Sequence, residues 1–145
     1  MSYYLHDAAQ GAPGSPHALR EGRSVPTHPK WWKDRAEARR RQLDAAVERL
    51  RDTLPAFDGV RGAFVFGSYA RGECGPESDL DILLVRATDL PMLRRDDDVR
   101  AKLRLGVPYD LVTITPEQLE RLPSQNGFYA QAIREGLWID AARAD

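Results

Sequence analysis

Two short stretches decide the reading: Gly67-Ser68-Tyr69-Ala70-Arg71-Gly72 and, five residues later, Ser78-Asp79-Leu80-Asp81-Ile82-Leu83-Leu84-Val85. Side chains alternate faces along a strand, so Asp79 and Asp81 are expected on one side and Leu80, Ile82 and Leu84 on the other. Two carboxylates in one small region repel, and one tends to keep its proton unless a divalent cation stands between them. Mg²⁺ suits such a place because it prefers oxygen ligands, keeps several waters, and is commonly held by one or two carboxylates plus substrate phosphates.

Ahead of the carboxylates, Val60 to Phe66 is short and rich in β-forming residues and runs into Gly67-Ser68. This predicts a strand ending in a turn that opens a helix. Gly67 permits close backbone approach. Ser68, Ser78 of the second stretch and the amides of that helix start are candidate contacts for a triphosphate, with Arg71 adding positive charge on the same turn. Nucleotidyl transfer asks mainly for positioning and charge neutralisation, and a two-metal scheme needs a third carboxylate. Asp110 is the candidate, since an acid between Tyr109 and Leu111 in a predicted strand otherwise carries an unexplained desolvation cost. Asp96, Asp97 and Asp98 rank below it as a charge run at an exposed helix start. Metal ligation is thus expected at Asp79, Asp81 and Asp110.

Each element has a plainer reading when taken singly. Ser68 can be a helix cap, Asp79 and Asp81 the solvent face of an edge strand, and Asp110 the partner of an arginine. Their conjunction in order favours the site. Cys74 has no histidine near it in sequence, so a thiol nucleophile has little support. The three histidines, His6, His17 and His28, match no zinc spacing.

Working outward, residues 1–29 repeat Gly, Pro, Ser and His without an apolar period and read as an irregular arm, with Tyr3, Tyr4 and Leu5 available for packing. Residues 30–145 read as one domain. From Lys30 to Leu54, Trp32, Ala36, Leu43, Val47, Leu50 and Leu54 recur at helical spacing. Trp31 and Trp32 are adjacent and cannot both face one core, which leaves one for an interface or for the arm to cover. Asp96 to Leu105 reads as a helix ended by Gly106, and Val107 to Ile114 as a strand. Thr115-Pro116-Glu117-Gln118 reads as a helix start, and Phe128 to Glu135 as a last helix closed by Gly136. The order predicts an α/β (α+β) domain, a small mixed sheet flanked by helices.

With 145 residues, 42% hydrophobic and 30% charged, the chain has the composition of one globular domain. A net charge of −1 provides no general field for nucleic acid or an anionic membrane. No apolar run approaches a membrane span, the first ten residues do not resemble a signal peptide, and a lone cysteine forms no internal disulfide, so a cytoplasmic protein is expected.

Gly67 to Val85 resembles the DNA polymerase β-like nucleotidyltransferase superfamily at every defined position of its pattern: Gly-Ser, a short gap, Ala-Arg-Gly, five residues, then Ser-Asp-x-Asp and an apolar strand. The length and the ending Ala132-Ile133-Arg134-Glu135-Gly136 are similar to the minimal nucleotidyltransferases paired with HEPN-domain proteins. The resemblance covers about residues 56–139. It implies Gly67 and Ser68 on the triphosphate, Asp79, Asp81 and Asp110 on two Mg²⁺ ions, ATP as substrate, and an antitoxin that adenylylates a tyrosine of a HEPN toxin. The shortness of the chain also favours a protein acceptor, because no second domain remains to form a pocket. Two alternatives stand beside this reading. One is transfer to a small molecule, which would require a homodimer; the other is a module that neutralises its partner by contact alone.

Overall fold

The computed structural model describes residues 28–142; the arm's expected packing residues, with His6 and His17, lie outside them. Strand β1 (Val60–Phe66) leads to β2 (Leu80–Arg86), which is buried along its whole length. β3 (Tyr109–Ile114) and β4 (Leu137–Asp140) complete one sheet of order β3-β2-β1-β4. β1 pairs antiparallel with β2 and β4, whereas β2 and β3 run parallel. The sheet is therefore mixed, as predicted.

Helix α1 (Lys30–Thr53) follows the predicted spacing, burying Ala36, Leu43, Ala46, Val47 and Leu50. This stripe packs with Leu80, Ile82 and Leu84 of β2, Val65 of β1 and Leu111 of β3. Leu43 is completely buried, and truncating such a leucine to alanine costs about 2–5 kcal/mol. The outer side of α1 carries the pairs Arg41–Glu37, Arg40–Asp44 and Arg51–Glu48. Exposed pairs contribute less than about 1 kcal/mol each, so burial of the stripe, not charge, holds this helix on the sheet.

Helix α2 (Asp97–Lys102), on the crossover between the parallel strands, adds Val99 to the same layer. Leu83 and Val85 face the opposite layer with Phe66 and Ile114. There α3 (Pro116–Arg121) and α4 (Gly127–Glu135) supply Leu119, Phe128, Tyr129, Ala132 and Ile133. The α3 start matches the sequence reading. Thr115 accepts from the Gln118 amide, the Gln118 side chain accepts from the Thr115 amide, and Pro116 follows the cap.

Several expectations shift. The helix expected over Asp96 to Leu105 stops at Lys102, because Leu103 is extended and Leu103, Leu105 and Val107 each turn into the core. β2 starts at Leu80 rather than Asp79, and β3 at Tyr109 rather than Val107. Gly136 does end α4, but in an extended conformation (φ −71°, ψ 150°) rather than the left-handed one of a glycine cap. Glycine is needed there for space: a Cβ would lie 2.5 Å from the Ala132 carbonyl oxygen and 3.1 Å from Phe64 Cβ. β4 was not anticipated, and it adds the fourth strand beside β1.

Candidate active site

The Gly67–Gly72 stretch forms a single turn, not the start of a helix as the sequence suggested. Gly67 (φ 78°) breaks the direction of β1, and the Arg71 amide closes one turn onto the Gly67 carbonyl. Gly72 then takes φ 72°, with its own amide bonded to the Tyr69 carbonyl and the next amide, that of Glu73, bonded to the Ser68 carbonyl. That pair of bonds around a left-handed glycine terminates helices, and here it acts after one turn. The helix expected after Ser68 is thereby corrected to a single closed turn.

The turn is fixed from three sides. Tyr69 is buried, and its hydroxyl donates to Asp44 of α1 while Arg40 lies 4.9 Å over its ring. Burial and the Asp44 bond push the Tyr69 hydroxyl up to about 12. Ser68 and Ser78 are buried; the Ser68 hydroxyl donates to Ser78 Oγ at 3.3 Å, and Ser78 Oγ also accepts from the Gly75 amide at 2.8 Å. The two halves of the sequence motif therefore meet through their serines. Arg39 of α1 donates from Nε to the Pro76 carbonyl at 3.2 Å, which anchors the intervening loop. On the third side, Glu135 of α4 accepts from the Gly67 amide at 3.0 Å and from Arg71 at 3.2 Å, while Arg71 Nε reaches Glu73 at 2.9 Å. Arg71, expected to face phosphate, is thus engaged by two carboxylates.

Asp81 is buried in β2, where its register partners are Phe66 of β1 and Asp110 of β3. Adjacent strands lie about 4.8 Å apart, so the two carboxylates leave neighbouring backbones on one sheet face. Asp79 sits just before the strand between Ser78 and Leu80 and is partly buried. Burial raises its carboxyl above the ordinary value, the Asp110 charge adds to this, and Arg39 opposes it. The three acids named from the sequence thus come to one end of the parallel pair. Asp110 does not carry the desolvation cost expected of it: it is exposed, and Asp81 is the buried acid. Of the ranked-down acids, Asp98 grips Arg86 with both oxygens, at 2.7 and 2.9 Å, and Asp96 pairs with Arg100 at 3.2 Å.

Among the described residues no three such side chains close into a cage for an ion. An open set of hard oxygen donors still fits Mg²⁺, which takes one or two carboxylates and completes its shell with water and phosphate. Burial and the Asp110 charge disfavour the Asp79 anion, and a cation placed between the two carboxylates would relieve that. The sequence offered no sign of Arg39 at this site, and marked Glu135 only as part of the ending that resembles the minimal nucleotidyltransferases, without a role. Both are charged residues on helices remote in the chain, and only their bonds reveal their place in the site.

No helix among the described residues is long and apolar enough to cross a membrane. Among curated proteins none matches the chain. Similar solved structures include a protein of Sulfolobus solfataricus provisionally assigned as a nucleotidyltransferase, at 21% identity and TM-score 0.45, covering 67% of this chain and 85% of that one. A toxin–antitoxin complex with AMP-PNP is similar at 21% identity and TM-score 0.42, covering 72% and 74%. A substituted form of the MntA–HpeT toxin–antitoxin is similar at 19% identity and TM-score 0.41, covering 69% and 73%. The nucleotidyltransferase domain model matches residues 47–136, a span that contains the serine-bridged turn and all three carboxylates. On that match the chain belongs to the nucleotidyltransferase domain family and is a nucleotidyltransferase.

Proposed function

We propose that this nucleotidyltransferase moves AMP from ATP to a hydroxyl of a partner protein, a tyrosine of a HEPN-type toxin, and so acts as a cytoplasmic antitoxin. The observation that carries the proposal is the Asp81–Asp110 register beside the serine-bridged Gly67–Gly72 turn. Ser68, with the backbone around it, receives the polyphosphate, and Ser78 holds Ser68 in place. Asp79, Asp81 and Asp110 are the groups that would hold two Mg²⁺ ions, which supply charge neutralisation at the phosphates and acidify the attacking hydroxyl. The acceptor oxygen bonds to the α-phosphorus while the bond to the pyrophosphate oxygen breaks. The hydroxyl proton passes to a carboxylate of the cluster, for which exposed Asp110 is accessible.

Residues 30–145 form the transfer domain in this reading, preceded by the irregular arm over residues 1–29. The ending Ala132–Gly136 resembles the minimal nucleotidyltransferases, and this supports the toxin partner. Exposed Trp31 supports a protein contact near the start of α1.

The test is incubation of the full chain with labelled ATP, Mg²⁺ and the protein encoded beside it. Label on the partner's tyrosine, lost with Asp79→Ala and with Asp81→Ala, is the expected result. Protection of the partner that survives both substitutions would sink transfer in favour of contact alone.

A further inference from the structure

We infer that Glu135 is a positioning residue for the polyphosphate, a role that rests on the nucleotidyl-transfer reading above. Its carboxylate reaches from the last residue of α4 to both ends of the turn that carries Ser68. Oε1 accepts from the Gly67 amide at 3.0 Å and from Arg71 at 3.2 Å, and Oε2 lies 3.3 Å from the same guanidinium nitrogen. The Glu135 side chain is only 17% exposed and that of Arg71 28%, so the pair is partly shielded from water. A charge-assisted bond in such a place is stronger and more directional than one on the open surface.

Glu135 sits at the closely packed end of α4. Gly136 follows it in a space with no room for a Cβ against Ala132 and Phe64, which fixes the end of α4 on β1. Gly67, in contrast, is the joint between β1 and the turn, and glycine has the widest backbone freedom. One carboxylate at the packed end of a helix therefore helps to set the orientation of this joint, beside the Ser68–Ser78 and Tyr69–Asp44 bonds. The residue it orients is Ser68, the next in the chain. Pre-setting a binding loop removes the ordering cost from ligand binding and appears as affinity.

The Gly67 amide is already taken by Glu135, so the phosphate contacts fall to Ser68 and the residues after it.

The experiment measures Kd for ATP with Mg²⁺, and for inorganic tripolyphosphate with Mg²⁺, on the full chain, alongside melting temperature. Glu135→Ala is expected to weaken both ligands about tenfold, the scale of one lost bond to a charged group, when measured well below its own melting temperature. Glu135→Gln keeps an acceptor for the Gly67 amide but loses the ion pair, and is expected between the two. A merely structural glutamate would lower the melting temperature and leave the affinity of the folded protein unchanged. Wild-type or tighter binding by folded Glu135→Ala overturns the inference, the tighter result meaning that the carboxylate competes with phosphate. If the alanine variant does not fold, Glu135→Gln decides on the same measure, with weaker binding supporting the inference and unchanged or tighter binding overturning it. A wild type that binds neither ligand overturns the nucleotidyl-transfer reading and this inference with it, whereas binding unaffected by Glu135 removes this inference alone.

Discussion

Asp81 on β2 and Asp110 on β3 are direct partners in a parallel register, one buried and the other open to solvent. The difference follows from strand position: β2 lies inside the sheet and β3 at its edge. A buried acid held by its strand and an exposed one beside it can share a cation while one side remains open to substrate. Asp81→Ala and Asp110→Asn are each expected to lower nucleotidyl transfer by at least about 100-fold, beyond the loss typical for residues that only support a ligand. Wild-type rates with Asp110→Asn would remove Asp110 from the site.

Asp79 carries a charge that the fold disfavours, through burial and then through Asp110. A carboxyl raised in the folded state destabilises that state at pH above the folded value, and the penalty vanishes once both states are protonated. Asp79→Asn should therefore melt at or above the wild-type temperature at pH 7, with no such advantage at pH 3, while losing transfer activity. Added Mg²⁺ should raise the melting temperature of wild type more than that of the variant. A lower melting temperature for Asp79→Asn at pH 7 would contradict the electrostatic reading.

Arg86 ends β2 as a buried clamp, donating to the Asp58 carbonyl at 2.8 Å, to the Arg95 carbonyl at 2.9 Å and to both oxygens of Asp98. Arg86→Ala leaves these acceptors unpaired and is expected to cost about 3 kcal/mol in denaturant unfolding. The hydrogen bond from Arg86 holds Asp98 below the usual carboxylate range. A depressed carboxyl contributes stability that is present above its unfolded value, about 3.9, and is lost as pH falls through the folded one. Stability of wild type should accordingly fall below about pH 4, and Asp98→Asn should flatten that part of the curve.

Tyr69 connects the turn to α1 through Asp44. Tyr69→Phe removes only the hydroxyl and should cost about 1 kcal/mol, whereas Tyr69→Ala also empties a buried space and should cost about 3–5 kcal/mol. If the bond serves only to support the turn, Tyr69→Phe retains most of the transfer rate when assayed well below its melting temperature. A loss as large as that of Asp81→Ala would place the hydroxyl in the chemistry.

The legible parts of the fold are those with a local cause. The α1 stripe, the Val60–Phe66 strand and the Thr115 cap follow from spacing, β-forming residues and a capping box within four residues. β4 was missed because Leu137-Trp138-Ile139 is too short to show a period and acquires its conformation by pairing with β1. The helix expected after Ser68 failed because Gly72 ends it, and a glycine four residues after a serine reads equally well as either.

By itself the sequence determined the chemistry on offer: two alternating carboxylates, a glycine–serine bend and a third acid in a strand, at spacings that local backbone geometry converts into one face and one turn. Tertiary structure alone decided which charges meet. It brought Asp110 beside Asp81, joined Ser68 to Ser78, and gave the Gly67 amide and Arg71 to Glu135. The reason is physical: alternation and turns depend on bonds within a few residues, whereas the pairing of groups far apart in the chain depends on how strands register and where a packed helix ends.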